Sequence, residues 1–135
     1  MSRHLSTRNQ SRLSTLPVFA SLTPRALAQA DALLTEISLP AGQTLCEQGE
    51  FGREAFILLA GQAAVIRDGK VIATVKRGDV VGELALLDSG RRTATVKATT
   101  DVSVLAMNHR EFSSLLEIRG VGEEIRRIAA DRTAA

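Results

Sequence analysis

Apolar residues along this chain repeat with two different periods, and the places where the period changes mark its elements. Leu27, Ala30, Leu33 and Leu34 recur at helical spacing. Thr23 stands where a hydroxyl caps the first turn, and Pro24 suits the first helical position, so a helix over about 24–35 is predicted. Between Ile37 and Met107 the pattern turns to short apolar runs broken by glycine. Strands are predicted near 36–39, 44–47, 55–60, 62–67, 70–75, 94–98 and 102–107. Asp68-Gly69 between two such runs signals a two-residue hairpin, because both central residues of that turn need positive φ. Gly42, Gly49, Gly52, Gly61 and Gly78 fall at the other breaks, where positive φ or a close backbone approach is expected.

Beyond Met107 the helical period returns. Asn108, followed by Glu111 three residues later, resembles a capping box and opens a helix over about 109–118. Gly120-Val121-Gly122 interrupts it. A last helix, about 122–132, sets Val121, Ile125, Ile128 and Ala129 on one face and a Glu123–Arg127 pair at i,i+4 on the other. The expected class is α+β: an antiparallel β-roll or jelly roll of about eight strands, with one N-terminal helix and two C-terminal helices. Residues 1–15, rich in Ser, Thr and Arg, read as a loosely ordered lead-in that adds little core, and 16–135 as one domain.

Composition narrows the function classes. The chain has 135 residues, 44% hydrophobic and 24% charged, with a formal charge of +2. That balance lacks the concentrated positive charge of a duplex-binding surface. No apolar run approaches the ~20 residues of a bilayer span, and no secretory leader is legible. A single cysteine, Cys46, makes no internal disulfide, which fits a cytoplasmic protein. His4, His109 and Cys46 are too scattered for a metal site, and no nucleophile–base set is readable, so neither a metal cofactor nor an enzyme is expected. Arg67, Lys70, Lys76 and Arg77 read as exposed hairpin charges.

The chemistry is concentrated in residues 80–98, VVGELALLDSGRRTATVKA. Glu83 to Leu87 are helix formers too few for an ordinary helix, so one helical turn is expected after Gly82. The free amides at its start make an anion site. Arg92, heading the next strand, can grip a phosphate through two parallel hydrogen bonds. Glu83 would spoil a plain anion site. A ligand carrying hydroxyls beside its phosphate removes the conflict, since the carboxylate then accepts a ribose 2′-hydroxyl. Thr93 adds a hydroxyl and Ala94 a backbone amide.

G-E-L-A-L-L followed by R-T-A-T-V resembles the phosphate-binding cassette of the cyclic-nucleotide-binding domain family, which includes kinase regulatory domains, nucleotide-gated channels and bacterial transcription regulators. The likeness spans about 16–132 and includes P-A-G-Q-T-L at 40–45, E-Q-G-E at 47–50, F-I-L-L-A-G-Q-A-A-V at 56–65 and R-G-D before the cassette. It implies that Gly82 and Glu83 contact the ribose and that Leu84 and Ala85 offer amides. It further implies that Arg92 pairs with the cyclic phosphate, with Thr93 and Ala94 completing the shell. Val81 stands where the family often has an aromatic residue, and Arg91 where it often has proline, which points to a more mobile loop at 88–91. The likeness also implies a base cap from the last helix, at Arg132 by position with Ile128 or Arg127 as alternatives, and Gly120–Gly122 as its hinge.

The expected function is a cyclic-nucleotide sensor domain. Cyclic AMP is the default ligand and cyclic GMP the alternative. The C-terminal helices are available to a second copy or an effector domain. Two rivals are the sensory part of a transcription regulator without its DNA-binding domain and a non-binding scaffold of the same fold. With so few residues after Arg132, this chain alone is not expected to bind DNA.

Overall fold

The computed structural model describes residues 13–82 and 90–134, with the side chains of the final helix described as far as Ile128. A 3-10 turn, Pro17–Phe19, precedes α1 (Pro24–Asp31). The strands are β1 (Thr35–Leu39), β2 (Thr44–Cys46), β3 (Glu54–Ala60), β4 (Ala63–Arg67), β5 (Lys70–Val75), β6 (Val80–Val81), β7 (Thr95–Ala98) and β8 (Val102–Asn108). Two helices close the chain, α2 (His109–Leu116) and α3 (Val121–Ala134). The strands form two four-stranded antiparallel sheets, ordered β1-β8-β3-β6 and β2-β7-β4-β5. This is the expected α+β roll.

Two cores explain the sequence pattern. One lies between the sheets and contains Phe56, Leu58, Val65, Val81, Val96 and Val104. The other lies between the first sheet and the helices and contains Ile57, Val80, Leu105, Phe112, Leu115 and Ile125. β3 and β8 serve both cores. Along β3, Ala55, Ile57 and Leu59 face the helices, while Phe56 and Leu58 face the roll interior. A strand buried on both faces reads as a continuous apolar run, which is why Phe56–Ala60 shows no alternation.

Turn chemistry follows the expected residues. Asp68 and Gly69 have φ of 52° and 80°, the double left-handed turn that joins β4 to β5. Thr23 Oγ1 accepts from the Ala26 amide at 3.2 Å. At the start of α2 the capping box is complete: Glu111 N donates to Asn108 Oδ1, and Asn108 N to Glu111 Oε1, both at 2.8 Å. Replacing Asn108 with alanine is expected to cost about 1 kcal/mol, because it strands one helix donor. A modest drop in melting temperature checks it.

Several expectations are corrected. α1 ends at Asp31, short of residue 35, because the Leu33 and Leu34 amides donate to Ala30 O and Asp31 O and tighten the chain out of the α-helix into β1. Arg127 pairs with Glu124, at i,i+3, with Nη2 to Oε2 of 2.7 Å, where Glu123 at i,i+4 was expected; Glu123 is exposed. Arg67 and Arg77 are exposed as expected, but each also holds a backbone carbonyl. Arg67 Nε donates to Thr93 O at 3.2 Å. Arg77 Nη1 donates to Leu59 O at 2.7 Å, and its Nη2 donates to Thr15 Oγ1. Leu13, within the stretch expected to add little core, is buried in the helix-side cluster beside Leu16.

Candidate functional site

The site is built where β6 ends. Val80 packs into the helix-side core and Val81 into the roll interior, so both faces of this two-residue strand are fixed. Gly82 then turns the chain with φ of 84°. Against it lies Arg92, only 9% exposed. Its Nη1 donates to Gly82 O at 2.8 Å and its Nη2 to Glu54 O at 2.5 Å. Among the described residues no carboxylate pairs with this guanidinium, and its remaining donors have no partner. Among the described residues this nearly buried cation is met only by carbonyls, and an anion arriving at its remaining edge would supply a counter-charge.

Gly82 must be glycine for this packing. A Cβ there would lie 2.5 Å from Arg92 Nη1 and 2.9 Å from Glu54 O. Gly82→Ala is therefore expected to push Arg92 from its seat, adding roughly 1–2 kcal/mol of left-handed backbone strain. Loss of stability is the expected outcome, read by thermal melting.

The turn between β2 and β3 holds the arginine segment in place. Arg92 N donates to Glu50 O at 2.6 Å, Gly49 N to Arg92 O at 2.9 Å, and Gly52 N to Gly90 O at 3.3 Å. The Gln48 side chain exchanges two hydrogen bonds with Asp68 at the β4–β5 turn, and its amide donates to Thr95 Oγ1. Three separate loops thus meet around the head of β7. Beside them is a cleft of about 610 Å³, lined by Leu45, Cys46, Glu54, Phe56, Arg91 and Arg92 among others. That volume suits a small-molecule ligand.

Of the sequence-predicted site residues, the structure brings Gly82 and Arg92 into direct contact. Thr93 follows, exposed, with its carbonyl taken by Arg67. Ala94 is half-buried against the interior core. Glu83, Leu84 and Ala85, and the helical turn expected there, lie outside the described residues. Ile128 is 8% exposed in the helix-side core and is not among the residues lining the Arg92 cleft. The Arg132 side chain lies outside the described residues. Sequence reasoning missed Glu54, whose contribution is a backbone carbonyl and leaves no residue-type signal. It also missed that the E-Q-G-E turn clamps residues 90–92. Arg91, expected to loosen its loop, is itself tied down, donating from Nη1 to Gly49 O at 2.7 Å.

Comparison with known proteins identifies the family to which this fold belongs. Residues 36–119 match the cyclic nucleotide-binding domain family. A cAMP-dependent protein kinase regulatory subunit of Aspergillus niger is 37% identical over 87% of this chain and 28% of its own length. A cyclic nucleotide-gated potassium channel of Rhizobium etli is 31% identical over 93% of this chain and 35% of its own length. The chain thus spans about a third or less of each of these relatives. A solved structure described as a PKAR CBD2 with bound Sp-2Cl-cAMPS superposes with a TM-score of 0.81 at 28% identity, covering 96% of this chain and 87% of that one. With a β-roll, a family match over residues 36–119 and relatives more than 30% identical across most of its length, the chain belongs to the cyclic nucleotide-binding domain family.

Proposed function

We propose that this chain is a sensor domain that binds cyclic AMP and passes the event to its C-terminal helix. The observation that carries the reading is Arg92: a nearly buried guanidinium with no carboxylate partner among the described residues, seated on Gly82 at the head of the cassette. The cyclic phosphate takes the free edge of Arg92, and Glu83 accepts the ribose 2′-hydroxyl. The amides of Leu84, Ala85 and Ala94, with the Thr93 hydroxyl, complete the shell. The domain acts as a regulator with no catalytic step of its own, works in the cytoplasm, and hands its output to an effector segment or a second copy.

The fold supports a route from ligand to helix. β6 leads directly into Gly82, and its Val80 shares a core with Val121, Ile125 and Ile128 of α3. A ligand that binds more tightly when α3 covers the base shifts the helix toward that position by the difference in affinity. Ile128 or Arg132 then caps the base, and Gly120, with φ of 91°, lies at the break between α2 and α3 where a hinge is needed.

Competition between cyclic AMP and cyclic GMP for the nucleotide-free protein tests the ligand assignment. Tighter binding of cyclic AMP, with hydrogen exchange slowed in α3, is the expected result. Equal or tighter binding of cyclic GMP overturns the assignment, and unaltered exchange in α3 overturns the closure.

A further inference from the structure

We infer that Arg91 and Phe51 form a surface clasp that positions Arg92, which makes both of them positioning residues for the site proposed above, on whose reading this inference rests. Adjacent residues of an extended segment point to opposite faces. Arg92 points inward to Gly82 O and Glu54 O. Arg91 reaches back to the β2–β3 turn, where Nη1 holds Gly49 O at 2.7 Å and the guanidinium lies 4.3 Å from the centre of the Phe51 ring.

Phe51 is 61% exposed, so core packing does not account for its ring. Phe51 and Arg91 face each other in an antiparallel bridge, flanked by the backbone bonds that Gly49, Gly52 and Arg92 make across the same two segments. The turn is therefore gripped twice, by Arg91 at Gly49 and by Arg92 at Glu54. A guanidinium over an aromatic face is attractive even in water, and the charge-assisted bond to Gly49 O adds direction. The clasp fixes the separation between the 49–54 turn and residues 90–92. That separation decides where the Arg92 guanidinium sits relative to Gly82.

The test has two arms on the full chain. In the first, hydrogen exchange of the Gly49, Gly52 and Arg92 amides is measured without ligand in the unmodified protein, Arg91→Ala and Phe51→Ala. Faster exchange at these amides in both variants, with β8 unaffected, is expected. Unchanged exchange overturns the clasp. In the second, cyclic AMP affinity is measured for Arg91→Ala, Arg92→Lys and the double variant. A loss of about three- to ten-fold from Arg91→Ala is expected, shrinking toward none once Arg92 is altered, because the clasp acts through Arg92. An equal loss in both backgrounds overturns the positioning role, since a merely structural defect costs the same in each. Arg91→Lys, which keeps the cation but not the planar stack, should restore part of the affinity. If the unmodified protein binds no cyclic nucleotide, the ligand reading falls, and the exchange arm still decides whether the clasp exists.

Discussion

Arg92→Ala is expected to weaken cyclic nucleotide binding by roughly 2–5 kcal/mol, the usual cost of deleting one member of a buried, hydrogen-bonded charge contact. The size of the effect follows from where the guanidinium sits. It is nearly buried, held by two carbonyls, and has no carboxylate partner among the described residues, so the phosphate would be its counter-ion. The same substitution should leave the fold close to its original stability. Two hydrogen bonds to Gly82 O and Glu54 O are lost, but so is the cost of burying a cation that has no carboxylate partner among the described residues, and the two effects oppose each other. A lost titration signal beside a melting temperature shifted by only a few degrees is the expected pair of results. A large fall in melting temperature would mean that Arg92 is chiefly structural.

The largest stability effect is expected in the helix-side core. Phe112 is 2% exposed and sits in the helix-side core with Phe19, Ile57, Leu105, Leu115 and Ile125. Phe112→Ala removes its ring from the contact between α2 and the first sheet, at a cost of about 3–5 kcal/mol. Against a total stability of roughly 5–15 kcal/mol, that is enough to leave a substantial unfolded population at physiological temperature. Denaturant titration should show the midpoint falling sharply with the slope preserved. A change below about 1 kcal/mol would mean that the helices contribute little to the core. Nucleotide added in excess should recover part of the loss by mass action, because only the folded form holds the site.

The fold was largely legible because its signals are local. Thr23-Pro24, Asp68-Gly69 and Asn108 with Glu111 each specify their geometry within four residues, and all three motifs are realised. The boundary of α1 was less legible. Leu33 and Leu34 continue the helical spacing, yet they pack on the core from a 3-10 turn, where tertiary contact and not periodicity decides the backbone. β6 is only two residues long and has no period to read, although Val80 and Val81 face different cores.

In the site, Gly82 and Arg92 could be read because residue type carries their role: one tolerates positive φ and close approach, the other carries a fixed charge. Glu54 could not, since it serves through its carbonyl. Nor could the seat of Arg91, because Gly49 and Arg91 are 42 residues apart and only the fold brings them together. The cap assigned to the last helix rests on a different footing. Ile128 belongs to the same core as Ile125 and Val80, so any swing of α3 must exchange those contacts for new ones over the base. The proposed closure would therefore depend on ligand to supply the new contacts.

Calorimetric titration of nucleotide-free protein with cyclic AMP, run beside Arg92→Ala, is the most direct test of the Arg92 site. A one-to-one binding isotherm in the unmodified protein, reduced by at least about 30-fold in affinity in the variant, is the predicted result. Absence of binding to either cyclic AMP or cyclic GMP in the unmodified protein, or equal affinity in the variant, would contradict it.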